Sequence, residues 1–229
     1  MIPLRDTIPS RTLPITNVFI IALNTIAFVS ELLLAPQGQE RLIFFLGIVP
    51  ARYMGGQGLF EHTVAGDYLP FLTGMFLHGG WLHFLGNMWF LWLFGDNVED
   101  RIGHFRYFLF YILCGILSSL VHILVNAGSL IPTIGASGAI AGVMGAYFVM
   151  YPQARIVTLI PIFFFIEIIQ IPAFIFLGIW FFMQLQSGAL ALAGTGQSGG
   201  IAFWAHIGGF IAGILLLVIF LKTGRNRRR

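Results

Sequence analysis

Long apolar runs alternate with short polar segments along this chain. A run of about 20 apolar residues is long enough to cross a bilayer as a helix. The pattern therefore predicts an all-α polytopic membrane protein with six transmembrane helices. Their predicted bounds are 15–35, 81–95, 105–125, 137–151, 157–187 and 201–221.

The fourth predicted helix is short for a membrane span. Its 15 residues, 137–151, reach about 22 Å, whereas the hydrocarbon core is about 30 Å thick. If the end near Arg155 lies at one surface, Ser137 lies several ångströms below the other. A helix that begins inside the membrane needs its free N–H groups satisfied by protein or by water. We therefore expect a buried, water-accessible pocket at Ser137.

The segment between the first two predicted helices, residues 36–68, is a loop with one apolar stretch at 42–50. This stretch is too short to span a bilayer. We expect it to lie in the membrane interface or to pack on the bundle.

Composition and charge agree with a membrane protein and predict its orientation. Hydrophobic residues make up 58% of the chain and charged residues 9%, against about 25% charged residues in soluble domains. Six spans place both termini on one side, and ten of the twelve Lys and Arg residues fall on that side. The positive-inside rule then predicts cytoplasmic termini and places Ser137 nearer the outer face.

These boundaries predict a cytoplasmic segment 1–14, a membrane domain 15–221 and a basic cytoplasmic tail 222–229. The single cysteine, Cys114, excludes an internal disulfide. Nothing resembles a nucleic-acid-binding module, and a basic tail after a span is typical of a cytoplasmic anchor. The short start without a targeting segment predicts a prokaryotic inner membrane. The sequence leaves the oligomeric state open.

Residues 133–147, TIGASGAIAGVMGAY, combine one serine with many small residues. Ser137 lies at the predicted start of a helix, where free N–H groups and the helix dipole stabilise an oxyanion. Ala141 and Gly145 continue its helix face, and such a small face lets another helix approach closely. Ser137 is therefore a candidate nucleophile. The alternative is a serine N-cap on a tightly packed membrane helix.

His206 is the candidate base. Gly209 and Gly213 follow it at offsets of three and seven, so they share its helix face. Packing this face against that of Ser137 would bring the imidazole within reach of the hydroxyl. The alternative is a histidine that only makes a hydrogen bond between helices, although ionisable residues inside membranes are costly and often functional.

His83 and Asn87 are four residues apart and share one face of the second predicted helix. Both side chains can donate to an oxyanion. His78 precedes the helix, and we expect it to fix loop structure. The histidines could instead bind zinc, but the chain has no H-E-x-x-H motif, no carboxylate beside them and no cysteine pair.

Taken in order along the chain, these segments resemble the rhomboid intramembrane serine proteases. The resemblance covers almost the whole chain. The motifs that carry it are HGGWLHFLGN with His83 and Asn87, GDNVEDRIG with Glu99 and Arg101, GASGA with Ser137, and AHIGG with His206.

The resemblance implies a rhomboid-like bundle with a Ser–His dyad and no aspartate. Ser137 would be the nucleophile, and His206 would act first as general base and then as general acid. The Ser137 N–H and the side chains of His83 and Asn87 would hold the oxyanion, with Gly135 beside them. The substrates would be transmembrane proteins that enter from the lipid bilayer past the fifth helix, and no cofactor is implied.

The resemblance also implies supporting roles near the site for several residues. They are His78, Gly138, Ala141 and Gly209. Ala141 stands where some family members have a tyrosine against the histidine, so His206 needs another orienting group, such as Trp204 or the backbone. Leu69-Pro70 stands where many members carry Trp-Arg in the first loop.

Two other functions compete with proteolysis. A non-proteolytic rhomboid-like protein would bind membrane clients without cutting them, but such a protein would lack Ser137 or His206. A transporter would also use short, glycine-interrupted helices at the bilayer midplane. Against a transporter, the sequence shows no internal two-fold repeat. Glu167, the one carboxylate deep in a predicted span, is not expected to converge with Ser137, and we expect it to make a hydrogen bond in the cytoplasmic half.

Overall fold

The computed structural model describes residues 1–54, 60–162, 165–194 and 202–221, which form ten helices and three strands. The helices are α1 (Ile15–Leu32), α2 (Pro36–Leu46), α3 (Pro50–Met54), α4 (Val64–Tyr68), α5 (Pro70–Thr73), α6 (Trp81–Ile102), α7 (His104–Val125), α8 (Ser137–Met150), α9 (Ala173–Leu192) and α10 (Phe203–Phe220). The strands are β1 (Ile2–Asp6), β2 (Arg155–Ile162) and β3 (Phe165–Pro172).

Four helices in the described ranges are long and apolar enough to cross a membrane: α1, α7, α9 and α10. Together with the hydrophobic composition, they make this an integral membrane protein. The helix α8 is apolar but has only 14 residues, or about 21 Å. The bounds of α1, α7, α8 and α10 lie within three residues of the predicted ones. The predicted basic tail, 222–229, lies outside the described residues.

The second helix is longer than predicted: α6 does not end before Asp96 but continues to Ile102. Its polar last turns are stabilised by partners elsewhere in the protein. The Glu99 carboxylate is fully buried and accepts the backbone N–H groups of Thr16 and Asn17, at 2.9 and 2.7 Å. These are N–H groups that the first turn of α1 leaves without helical partners. Polar residues therefore continue α6 where hydropathy alone ends it.

The fifth predicted span, 157–187, is wrong in its first half. Arg155–Ile162 and Phe165–Pro172 form the paired antiparallel strands β2 and β3, and the helix α9 begins only at Ala173. The two strands are rich in β-branched residues, which favour strands, and β2 contains Pro161, which disfavours a helix interior. Hydropathy does not distinguish an apolar strand from an apolar helix. The prediction of an all-α protein fails for the same reason.

The N-terminal segment completes a three-stranded sheet. β1 pairs antiparallel with β2, from Ile2 opposite Leu159 to Asp6 opposite Ile156, so the sheet order is β1-β2-β3. Glu167 lies exposed in β3, opposite Ile160, and not in the interior of a membrane helix as predicted. The transporter interpretation thus loses its candidate buried carboxylate.

Although a loop is predicted for the segment 36–68, its described residues, 36–54 and 60–68, contain three helices: α2, α3 and α4. Arg52 anchors it: its guanidinium donates to the carbonyl oxygen of Gly66 at 2.6 Å and lies 3.7 Å from the Asp67 carboxylate. Leu69 is the N-cap of α5 and Pro70 is its first residue. Through its contacts with Gly66 and Asp67, Arg52 joins α3 to α4.

The helix α8 lies at the centre of the bundle. Every residue from Gly138 to Tyr147 is buried, so this helix presents no face to the surroundings over ten residues. Its neighbours are α6, α7 and α10. Where α8 meets the sheet, the Tyr147 hydroxyl donates to the Asp6 carboxylate, which also accepts from Asn97 Nδ2 at 2.9 Å. One carboxylate thereby joins β1, α6 and α8.

Burial raises the pKa of the Asp6 carboxyl to about 6 from an ordinary value of 3.8. The folded protein therefore binds a proton that the unfolded chain releases near pH 4, and this contribution to stability disappears as the pH rises through about 6. We expect thermal unfolding in detergent at a lower temperature at pH 7.5 than at pH 5. Asp6→Asn should reduce that difference; an unchanged pH dependence in the variant would show that Asp6 does not carry it.

Candidate active site

Ser137 is the first residue of α8, and its hydroxyl does not cap the helix. The N-cap position is Ala136, and no side chain caps the first turn. The Ser137 Oγ lies 2.8 Å from Nε2 of His206, which belongs to α10. The structure thus brings the two residues together across 69 positions of sequence. The N-cap alternative would pair the Ser137 hydroxyl with backbone N–H groups of α8, but the hydroxyl is paired with an imidazole instead.

Glycines at the α8–α10 interface make this short distance possible. A Cβ atom added to Gly209 would overlap the carbonyl oxygen of Gly138, and one added to Gly213 would overlap that of Gly142. The backbones of the two helices are therefore in direct contact, as the small-residue faces predicted. Ala141 packs at the same level, since its Cβ lies 3.4 Å from the Cβ position of Gly209.

The second ring nitrogen of His206 has a partner that the sequence analysis missed. The Nδ1 atom lies 2.8 Å from Oε1 of Gln184 on α9. Trp180, one turn earlier on α9, places its ring 5.9 Å from the imidazole. These two side chains contact His206 where Ala141 is too small to do so. The available signal was a pair of glutamines, Gln184 and Gln186, inside a mostly apolar helix.

The candidate oxyanion donors lie on the other side of Ser137, against Gly135. This glycine has φ of 122°, a conformation that non-glycine residues rarely adopt. A Cβ at this position would lie 2.6 Å from His83 Nε2 and 3.6 Å from Asn87 Nδ2. Only glycine lets the chain before Ser137 pass this close to both donors.

Both donors can bind an incoming oxygen. The Nδ1 of His83 accepts the backbone N–H of Gly79 at 3.4 Å, which leaves the proton of the neutral ring on Nε2, facing Gly135. The buried Nδ2 of Asn87 has no hydrogen-bond partner among the residues that the structure describes. An unpaired buried donor is costly. An anionic oxygen formed beside Gly135 would satisfy it.

Two further histidines hold the surrounding loops. His122 Nε2 lies 2.8 Å from Thr133 Oγ1, and this threonine is paired with Ile48 through backbone hydrogen bonds. His78 receives support through its backbone N–H, which donates to the Glu31 carboxylate, while its Nδ1 lies 3.2 Å from the Phe76 carbonyl oxygen. In the described residues, neither imidazole makes a hydrogen bond to Ser137. His122 is thus a supporting residue that the sequence analysis did not identify.

A cavity of about 20 Å³ adjoins Ser137, which is enough space for a water molecule. Four hydroxyl-bearing residues are among those that line it: Ser118, Ser119, Thr133 and Ser137. The arrangement as a whole combines a hydroxyl, a base and oxyanion donors, which is the combination that acyl transfer requires.

Comparison with known proteins finds a family model and several relatives. A family model described as the rhomboid domain matches residues 65–223. The human presenilin-associated rhomboid-like protein, mitochondrial, is 28% identical over 183 residues, which cover 76% of this chain and 44% of the relative. The Arabidopsis thaliana rhomboid-like protein 11, chloroplastic, is 37% identical over 75 residues, or 33% of this chain and 26% of the relative. The chain thus spans less than half the length of these relatives.

The packing of α8 on α10 predicts the effect of a single methyl group. Gly209→Ala should destabilise the protein by about 1–3 kcal/mol, because the added Cβ overlaps backbone and no flexible side chain can yield. It should also slow labelling of Ser137 by a fluorophosphonate, because α8 and α10 must separate. Gly86→Ala is the control, since nothing lies within 4 Å of a Cβ there. Equal unfolding temperatures and labelling rates for the two variants would contradict the packing argument.

Proposed function

The chain belongs to the rhomboid family, and we propose that it is an intramembrane serine endopeptidase that cuts transmembrane proteins with a Ser–His dyad. One observation carries the proposal: the Ser137 hydroxyl lies 2.8 Å from an imidazole nitrogen whose ring is held from its other side. A hydroxyl becomes a nucleophile when a positioned base removes its proton during attack.

In the proposed reaction, His206 Nε2 takes the Ser137 proton as Oγ attacks the scissile carbonyl carbon. The carbonyl oxygen becomes an anion and accepts hydrogen bonds from the Ser137 N–H, His83 Nε2 and Asn87 Nδ2. The imidazolium then returns the proton to the leaving amine as the C–N bond breaks, which leaves an ester on Ser137. A water molecule, deprotonated by His206, attacks this ester and releases the acid and the free serine.

The membrane topology proposed for this activity has six spans, with α6 and α8 added to the four long apolar helices. The excess of Lys and Arg on one side supports cytoplasmic termini and a site that opens to the outer side. Because α8 is short, Ser137 would lie below the membrane surface. A segment of a transmembrane substrate must unwind locally to reach it, so helix-weakening residues near its outer end should favour cleavage.

The bilayer is the proposed route by which the substrate enters. The helix α9 buries only four of its twenty residues, so it is the least enclosed of the four long apolar helices in the described ranges. Its outward displacement would open the bundle beside His206, which α9 contacts through Gln184 and Trp180. The loop between α9 and α10 is described only to Gly194, and residues 195–201 lie outside the described ranges.

The membrane in which the protein resides stays a prediction from the sequence. The relatives reported above carry mitochondrial and chloroplastic names, and these names do not support the prokaryotic inner membrane expected from the short N-terminal segment.

The dyad is tested with a reconstituted single-span reporter, cut by wild type, Ser137→Ala and His206→Ala in the presence of EDTA. We expect the wild type to cut and both variants to be inactive while retaining the wild-type unfolding temperature. Cleavage by Ser137→Ala at the wild-type rate would rule out the serine mechanism, and loss of wild-type activity with EDTA alone would favour the zinc alternative. Binding of reporters by an inactive wild type would favour the client-binding alternative.

The oxyanion donors predict a separate kinetic effect. Asn87→Ala should lower kcat by about 10²–10³-fold with little change in KM, because the interaction forms only in the transition state. The variant should fold at least as well as the wild type, since Asn87 Nδ2 has no partner to lose. A rise in KM at constant kcat would instead assign Asn87 to ground-state substrate binding.

A further inference from the structure

We propose that Gln184 is a positioning residue for His206: its side-chain oxygen holds the imidazole in the tautomer and orientation that general-base catalysis needs. This inference rests on the proposed function. The proposed dyad has no aspartate, and position 141 is alanine and not tyrosine, so another residue must orient His206, and we assign that role to Gln184. The geometry that carries it is the 2.8 Å distance from His206 Nδ1 to Gln184 Oε1, on the opposite side of the ring from Ser137.

The hydrogen-bond directions follow from the donor inventory. A neutral imidazole has one N–H donor and one acceptor nitrogen. Gln184 Oε1 can only accept, so the proton lies on Nδ1 and the lone pair on Nε2. That lone pair faces the Ser137 hydroxyl, which donates to it. The opposite tautomer would place a proton between Nε2 and Oγ, and His206 could not then act as a base.

The placement of Gln184 on α9 is specific. Trp180, Gln184 and Gly188 recur every four residues and form one face of the helix. Trp180 lies beside the imidazole, and a Cβ at Gly188 would lie 3.2 Å from the Trp204 ring on α10. Gln186 lies outside this face and is exposed. The face toward α10 therefore contains one polar side chain, and it meets the one histidine of α10.

A glutamine at this position differs from the aspartate of a Ser–His–Asp triad in one respect. It fixes the tautomer but supplies no negative charge to stabilise the imidazolium. The amide is also less costly than a carboxylate inside a membrane helix. We therefore expect Gln184 to orient the base correctly. A charged acceptor at the same position should shift the pH range in which the enzyme is active.

The test compares Gln184→Met, Gln184→Glu and the control Gln186→Met in cleavage of the single-span reporter. Methionine keeps the length of the side chain but removes the acceptor. We expect Gln184→Met to lower kcat about 10- to 100-fold with KM unchanged, and Gln186→Met to match the wild type. Gln184→Glu should retain activity, with the acidic limb of its kcat–pH profile moved to higher pH, because a carboxylate favours the protonated ring.

A second readout separates this proposal from the proposed function. ¹⁵N-histidine NMR of the Ser137→Ala protein, with His206 assigned by its loss in a His206→Gln variant, should show the Nδ1–H tautomer. Adding Gln184→Met should convert it to a mixture. Wild-type kcat in Gln184→Met together with an unchanged tautomer would overturn the positioning role while leaving the dyad intact. A tautomer that depends on Gln184 in a protein that cuts no reporter would support the positioning role and count against the endopeptidase.

Discussion

Two helices, α8 and α10, approach until the glycines of one lie against the carbonyl oxygens of the other, and the candidate site depends on this contact. The hydrogen bond of 2.8 Å between Ser137 and His206 requires the two backbones to lie very close together. At the contact points only glycine fits, because any Cβ atom there would overlap the opposite backbone. In a membrane no hydrophobic effect drives helices together, so close van der Waals packing of small residues is a main source of association. The same glycines thus stabilise the bundle and set the distance between nucleophile and base.

The helix α6 connects the site to the opposite end of the protein. Its first turns carry His83 and Asn87, and its last turns carry Glu99, which accepts two backbone N–H groups of α1. A buried carboxylate held by such bonds fixes the helix in position and along its axis. The unpaired Asn87 donor at the other end is therefore presented by a rigid element. An oxyanion site must be preorganised in this way to lower a barrier, because donors that move to meet the charge lose part of their effect.

The base, in contrast, is held by the least buried of the four long apolar helices in the described ranges. Within those ranges, His206 Nδ1 has its hydrogen-bond partner on α9, which buries only four of its twenty residues. If α9 moves to admit a substrate, as proposed, the hydrogen bond that His206 Nδ1 donates to Gln184 must either break or move with the helix. The orientation of the base would then depend on where α9 lies, and a site with a displaced α9 would be open but without an oriented histidine.

The sequence by itself determined the class of protein, most helix bounds and the residues of the candidate dyad. Apolar runs, small-residue faces and histidine spacing are local, so they can be read one segment at a time. The rest depends on contacts between distant segments. Residues 155–192 are mostly apolar, so hydropathy does not separate the strands at their start from the helix α9 that follows. Only the pairing of β1 with β2 shows that the first part is a strand. Glu99 extends α6 because the first turn of α1 lies beside it, and Gln184 reaches His206 because α9 packs on α10. A polar residue in an apolar segment signals that a partner exists, but its partner is set by the tertiary structure, since a hydrogen bond depends on a distance that no local pattern encodes.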